Sequence, residues 1–154
     1  MLQMPKTIIS DTSCLIVLNN IGELDLLYKV YGPIITTFEI AAEYKEQLPN
    51  WIEITKVKDK YRQQLLEMQI DKGESSAIAL ALEIPNSIII LDDYKARKIA
   101  LQLGLVYTGT IGVIIKAKLH GIISSIKPIL QKIKETDFRL SEDIELQALK
   151  EAKE

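Results

Sequence analysis

Cysteine and histidine are almost missing from this sequence, which has a single Cys14 and a single His120. One cysteine cannot form an intramolecular disulfide, which suits a reducing compartment, so we expect the cytoplasm. One histidine, beside Gly121 at a predicted helix end, supports neither a His-based catalytic triad nor a zinc site of the His/Cys kind. Chemistry in this chain must therefore use other residue types.

Long apolar runs and a strong net charge are also missing. The apolar stretches are far shorter than the roughly 20 residues of a membrane-spanning helix, and no apolar signal region precedes the first predicted strand, so we expect no membrane partner. A net charge of −2 with a pI near 5.6 argues against a surface that binds nucleic acid everywhere. Any RNA contact must be local or assisted by metal.

What is present is typical of one globular domain. The chain has 154 residues, of which 47% are hydrophobic and 26% charged. We found no internal repeat and no linker. The sequence predicts a single domain over residues 1–154, with a charged helical tail from about residue 141.

Strands and helices alternate along the predicted chain. Residues 6–10 and 87–91 are β-branched and apolar without alternation, as in strands covered on both faces. Weaker strand patterns lie at 33–36, 52–54 and 105–107. Helical patterns follow Asp11 and cover about 22–31, 37–48, 59–70, 74–84, 94–103, 110–120 and 125–135. This order predicts an α/β fold with a mainly parallel sheet between helices.

Aspartates end both strong strands. Asp11 follows the first, and the pair Asp92 and Asp93 follows the second. Each could simply cap the next helix, since Asp accepts hydrogen bonds from free helix N–H groups. A cap accounts for one member of the pair only, because two adjacent carboxylates at a strand end repel each other. The usual relief is a cation or an arginine.

Glutamates on helices extend this pattern. Glu74 follows Gly73 in a predicted first turn, where the helix dipole favours an acid, and Glu39 and Glu43 share one helix face. Parallel sheets carry their chemistry beyond the carboxyl ends of the strands, so about four carboxylates should meet at one edge. Oxygen ligands without nitrogen or sulfur partners select Mg²⁺ or Mn²⁺.

At this point the chain resembles PIN domains over nearly its full length, and more narrowly a prokaryotic branch related to VapC-type toxin ribonucleases. The matching motifs, in order, are Asp11-Thr12-Ser13, Glu43 in a helix after a strand, Gly73-Glu74-Ser75-Ser76-Ala77-Ile78-Ala79-Leu80-Ala81, Leu91-Asp92-Asp93-Tyr94-Lys95-Ala96-Arg97 and Gly109-Thr110-Ile111-Gly112. The Gly-Glu-x-x-Ala-Ile and Asp-Asp-x-x-Ala-Arg pieces are specific in combination.

This resemblance implies a three-layer α/β/α fold, Mg²⁺- or Mn²⁺-dependent cleavage of RNA, a homodimer, and neutralisation by an antitoxin protein. The acids that match the family are Asp11, Glu43, Glu74 and Asp93, with Asp92 as a further metal ligand beside Asp11, Glu74 and Asp93. Supporting positions are Ser13, Thr110 and, in reserve, Glu39; Lys95 and Arg97 are expected to bind substrate. Apolar residues Leu24, Leu27 and Tyr28 offer a surface for the dimer.

Two alternatives remain at this stage. The loop 109–112 could cradle phosphate in another kind of enzyme, although it matches neither a P-loop nor a dinucleotide fingerprint. The chain could also be a non-catalytic PIN-like module that binds RNA or a protein without cutting.

Overall fold

The computed structural model describes residues 6–154. Its five strands are β1 (Thr7–Ser10), β2 (Ile34–Thr37), β3 (Ile52–Thr55), β4 (Ser87–Ile90) and β5 (Val106–Thr108). They form one sheet in the order β3-β2-β1-β4-β5, and every pairing is parallel. The α/β fold with a parallel sheet, predicted from the alternating pattern, is confirmed. The expected absence of a signal region before β1 concerns residues outside the described range.

Residues 6–154 contain nine helices, which connect the strands and cover the sheet. They are α1 (Thr12–Asn20), α2 (Asp25–Tyr31), α3 (Phe38–Tyr44), α4 (Lys60–Leu66), α5 (Lys72–Glu83), α6 (Tyr94–Gln102), α7 (Thr110–Leu119), α8 (Lys127–Lys134) and α9 (Glu142–Glu151). The predicted helix 37–48 ends early, because Lys45 takes a left-handed conformation with φ of 65°. The helical tail predicted from about 141 is α9.

The core lies on both faces of the central strands. Ile9 of β1 and Ile89 and Ile90 of β4 are fully buried, as expected for strands covered on both sides. Helix α5 packs closely through small residues such as Ala77 and Ala79, both fully buried. This packing fixes the beginning of α5, and with it Glu74, relative to the ends of the strands.

The strand order reverses between β1 and β4. Connections from β1 run through β2 to β3 on one side, and the chain then returns to place β4 on the other side of β1. Ser10 pairs with Ile90, and the Asp11 N–H donates to the Ile90 carbonyl at 3.0 Å, so the two strands end side by side. Such a reversal opens a crevice at the carboxyl edge of a parallel sheet.

One surface proposed for association is partly internal. Leu27 is fully buried in the chain's own core, and Leu24 packs partly against it, so only Tyr28 remains well exposed. The apolar pattern on α2 is therefore explained by intrachain packing. Among residues 6–154, no helix is both long and apolar enough to cross a membrane.

Candidate active site

An open cavity of about 490 Å³, the acid cavity, lies at the carboxyl edge of the sheet. Seven of its lining residues are acidic and one is basic. The acids are Asp11, Glu43, Asp71, Glu74, Asp92, Asp93 and Asp137; the other residues are Thr12, Ser13, Ile16, Phe138 and Arg139.

Asp11 is held by the backbone at the point where β1 becomes α1. Its Oδ1 accepts from the Cys14 N–H at 2.9 Å as the helix cap, and its Oδ2 accepts from the Asp92 N–H at 2.9 Å. The side chain is only 4% exposed. Burial, followed by the charge of Asp92, raises the pKa of Asp11 well above its ordinary value, although the two N–H donors and Arg97 oppose the shift. The carboxyl is therefore fixed in place but costly to ionise.

Asp92 has its own partners on the β5 side. It accepts from the Thr110 N–H at 2.8 Å and from the Thr110 hydroxyl at 2.6 Å, and it lies 3.9 Å from the Arg97 guanidinium. Arg97 also donates to the Leu91 carbonyl and lies over the Tyr107 ring, 5.2 Å from its centroid. Arg97 thus lines a second cavity beside β5 rather than the acid cavity. Its charge compensates Asp92.

Asp93 lies on the other side, near Glu74 and Asp71. Its Oδ2 caps α6 through the Ala96 N–H at 2.9 Å, and Asp71 caps α5 through the Glu74 N–H at 2.8 Å. Burial, then hydrogen bonding to and repulsion from Asp71 and Asp93, raises the pKa of Glu74 to about 9. Its Oε2 is buried and meets no hydrogen-bond partner among residues 6–154. Within the described range 6–154, none of these three carboxyls forms an ion pair with a basic side chain.

Glu43 reaches the acid cavity from α3. Thr12 donates to its Oε1 at 3.2 Å, and burial followed by the charge of Asp71 raises the pKa of Glu43. The carboxylate lies directly over Gly73, where an added Cβ would overlap Glu43 Oε1. Glycine at position 73 therefore allows α3 and α5 to bring their glutamates together.

The remaining predicted residues lie in different places. Glu39 faces α4, where Gln63 and Lys60 donate to it; burial raises its pKa, but these contacts outweigh burial and the net pKa is lowered. Lys95 is exposed on α6 and does not line the acid cavity, whereas Ser13 does. The structure thus brings together Asp11, Ser13, Glu43, Glu74, Asp92 and Asp93 around the acid cavity. Glu39, Lys95 and Arg97 do not line it, although Arg97 contacts Asp92 from the other side.

Among the charged and aromatic lining residues, four were missed by the sequence reasoning. Asp71 had a local signal, since Asp three residues before Glu74 is the spacing of a helix cap. Asp137, Phe138 and Arg139 come from the loop between α8 and α9. Nothing local in that loop links it to Asp11, because the chain contact between them is set by the packing of the whole domain.

The donor set suits a hard divalent cation. All the acidic ligands offer oxygen. Two buried carboxylate oxygens, Glu74 Oε2 and Glu39 Oε1, have no hydrogen-bond partner among residues 6–154, and of these two only Glu74 lines the acid cavity, where a cation would compensate it. Within residues 6–154, no three side chains converge closely enough to coordinate one ion as they stand. Coordination of one ion by Asp93, Glu74 and Glu43 would therefore require these flexible side chains to rotate toward each other. A bound cation would offset the repulsion that opposes this convergence in its absence.

A family model described as a PIN domain matches residues 7–154. No curated protein and no solved structure matches the chain. The match covers every strand and helix described above, including the acids at the ends of β1 and β4. PIN domains are generally nucleases that use divalent metals, which agrees with the acidic crevice. This chain belongs to the PIN-domain family.

Proposed function

We propose that this protein is a Mg²⁺- or Mn²⁺-dependent endoribonuclease and the toxin of a toxin–antitoxin pair. One observation carries the nuclease proposal: Glu74 keeps a buried, unpartnered carboxylate oxygen beside Asp71 and Asp93. Such an arrangement costs folding free energy unless a cation or proton compensates it. In the metal-free protein a proton compensates Glu74, whose pKa is raised to about 9, and a divalent ion entering the open cavity would take the place of that proton.

Each acid has a separate task in this proposal. Asp11 is oriented by two backbone N–H groups, so it offers its remaining lone pairs from a fixed position. Asp93, Glu74 and Glu43 would complete the ligand set, and Asp92 positions Asp11 through its backbone N–H. When bound, a divalent ion would activate water and stabilise the negative charge that develops on the phosphoryl and leaving oxygens. Thr12 and Ser13 line the acid cavity, where their hydroxyls would hydrogen-bond water.

The toxin proposal rests on the motif resemblance to VapC-type ribonucleases. It predicts that expression of the chain alone arrests bacterial growth, that an antitoxin protein relieves the arrest, and that Asp93→Asn removes it. It also predicts a homodimer, which light scattering of the purified protein would report. A monomer at micromolar concentration would contradict the dimer without affecting the nuclease proposal.

A non-catalytic PIN-like module that binds RNA or protein is the second candidate. One observation favours it: the acids of residues 6–154 do not converge on a single point. Such a module needs no divalent ion, so calorimetric titration with Mn²⁺ should give no heat of binding.

Cleavage of labelled RNA with and without Mn²⁺ tests the nuclease proposal. Asp93→Asn keeps the helix cap but removes one charge, and we expect at least a thousandfold loss of rate, roughly 4 kcal/mol of transition-state stabilisation. Asp59→Asn is the matched control, because Asp59 caps α4 away from the acid cavity. Equal rates for both variants, or no Mn²⁺-dependent cleavage by the wild type, would reject the proposal.

A further inference from the structure

We propose that two nucleotide-binding subsites flank the acid cavity and hold single-stranded RNA across it. The first, the Phe138 subsite, contains Phe138 and Arg139. The second, the Phe38 subsite, contains Phe38, Lys45 and Lys72. The inference rests on the proposed ribonuclease function, since it names the residues that would hold the substrate of that same site.

The acid cavity continues at both subsites. A neighbouring cavity of about 280 Å³ shares Ser13, Ile16, Asp137 and Phe138 with it. Another, of about 450 Å³, shares Glu43 and is lined by the Phe38 subsite. The two neighbouring cavities share no lining residue with each other, and each shares residues with the acid cavity, so the acid cavity connects them into one groove. A chain lying in this groove would pass over the acids in its middle.

An aromatic ring stands at each end of this groove. The sequence has only two phenylalanines, and they are the two that line these cavities. Phe38 is 56% exposed at the beginning of α3, so its ring contributes little to the core. Phe138 is half-buried against the core, with its other part in the cavity. Exposed aromatic faces of this kind are surfaces on which unpaired bases stack.

Each phenylalanine shares its cavity with at least one basic side chain that forms no ion pair among residues 6–154. Of the residues that the structure describes, Arg139 is the one basic residue that lines the acid cavity, and Lys45 and Lys72 line the cavity of Phe38. Among residues 6–154, none of these three side chains forms an ion pair, whereas Arg97 and Lys60 are paired with acids. Unpaired cations next to a strongly acidic cavity can contact phosphates on either side of it. Phosphate affinity is then local, which agrees with the acidic net charge of the chain.

Single-stranded RNA fits this arrangement better than a duplex does. A base can lie on a side-chain ring only when it has left its own stack, as bases do in loops and ends. Sequence-tolerant binding of this type combines ring stacking with cations along the backbone. The groove has an aromatic ring and a basic side chain on each side of the acids.

Binding can be measured separately from cleavage. We would titrate a labelled oligouridylate, and the same strand annealed to oligoadenylate, by fluorescence anisotropy in Ca²⁺, and measure Mn²⁺-dependent cleavage in parallel. Phe38→Leu and Phe138→Leu keep apolar volume but remove the ring, and each should weaken binding of the single strand roughly tenfold. Phe138→Trp should preserve it. Tyr28→Leu is the control, because Tyr28 lies on α2, which leads to the opposite edge of the sheet.

The cations give an independent measurement. Arg139→Ala, Lys45→Ala and Lys72→Ala should each lower the salt dependence of binding by roughly 0.7 in the log–log slope, whereas Lys29→Ala on α2 should not. Unchanged affinity in both phenylalanine variants, equal affinity for the duplex, or no binding of RNA by the wild type would overturn the inference. Loss of binding in the variants of a protein that never cleaves RNA would reject the proposed nuclease but support the subsites.

Discussion

Two adjacent aspartates at the end of β4 have opposite surroundings. Asp92 is satisfied by Thr110 and lies next to Arg97, with its side chain only 12% exposed. Asp93 is exposed and lies with Glu74 and Asp71, and the pKa of Glu74 is raised to about 9. The first carboxylate is compensated within the chain, whereas the second belongs to a group that is not.

The difference between Asp92 and Asp93 distinguishes a carboxylate that stabilises the fold from one that is open to metal ions and protons. A compensated carboxylate holds neighbouring segments together, and here the Asp92 carboxylate joins the end of β4 to Thr110 after β5. The backbone N–H of Asp92 donates to the Asp11 carboxylate at the end of β1. An uncompensated group responds to protons and cations from outside. Substitution of Asp92 should therefore mainly lower stability, whereas substitution of Asp93 should mainly alter the response to metal ions.

The largest expected effect is stabilisation by metal. An ion that binds only the folded protein raises the free energy of unfolding by about 2.7 kcal/mol at a hundredfold excess over its Kd. Thermal melting with and without Mn²⁺ measures it. Asp93→Asn should remove most of the increase and Asp92→Asn little of it. An equal loss of the stabilisation by Mn²⁺ in both variants would contradict the proposed difference between Asp92 and Asp93.

The next largest effect is the loss of unfolding free energy caused by Asp92→Asn. An amide has one acceptor oxygen and one NH2 donor. If that oxygen keeps the Thr110 N–H, the buried Thr110 hydroxyl loses the carboxylate oxygen to which it donates, and Arg97 loses its countercharge. We expect a loss of about 2 kcal/mol in the free energy of unfolding, measured by urea denaturation. Asp93→Asn is the matched variant and should be neutral or stabilising, because it keeps a cap and relieves repulsion. A larger loss in the free energy of unfolding for Asp93→Asn than for Asp92→Asn would contradict the assignment of Asp92 as the structural carboxylate.

Stability of the metal-free protein should fall as the pH rises. The raised pKa of Glu74 means that the folded state holds a proton that the unfolded chain releases near its ordinary pKa of 4.5. This contribution is complete below that pKa and is lost as the pH passes through about 9. Discounting for partial exposure, we expect a loss of about 1.5 kcal/mol between about pH 5 and pH 9.

Glu74→Gln should flatten this dependence when urea midpoints are compared in EDTA. Asp11, whose pKa is raised in the same direction, would supply the residual slope. Stability that rises with pH, or an unchanged slope in Glu74→Gln, would contradict the protonation of Glu74.

The smallest effect is expected for Gly73→Ala. The added methyl overlaps Glu43 Oε1, which ends a flexible side chain, so Glu43 should move while the fold remains. Alanine within a helix should even add about 0.5 kcal/mol of stability. We expect roughly a tenfold loss in kcat/KM for RNA, equivalent to 1.4 kcal/mol. Glu39→Gln is the control, because Glu39 contacts α4 instead.

The fold was largely predictable from the sequence. Uninterrupted β-branched runs such as 87–91 and the intervening helical patterns are local properties, and they predicted a parallel sheet covered by helices. Helix ends were less predictable. The end of α3 at Tyr44 depends on the conformation of Lys45, which the helical pattern of 37–48 does not specify.

For the candidate site, the sequence indicated acids but not their partners. Asp11, Asp92 and Asp93 follow strands, so their meeting at one edge follows from parallel strands alone. The placement of Arg97 toward Asp92 and Tyr107 does not, because its long side chain has several accessible directions on α6. The expected roles of Arg97 and Lys95 in substrate binding stay predictions that the structure leaves untested.

The sequence by itself determined the residue types, the alternation of strands and helices, and the presence of carboxylates after β1 and β4. Only the tertiary structure decided which carboxylates are compensated, because compensation depends on side chains far apart in the chain, such as Thr110 for Asp92 and Asp71 for Glu74. It also brought the loop with Phe138 and Arg139 to the acids. Charge interactions act through space over a few ångströms, and the sequence alone does not give those distances.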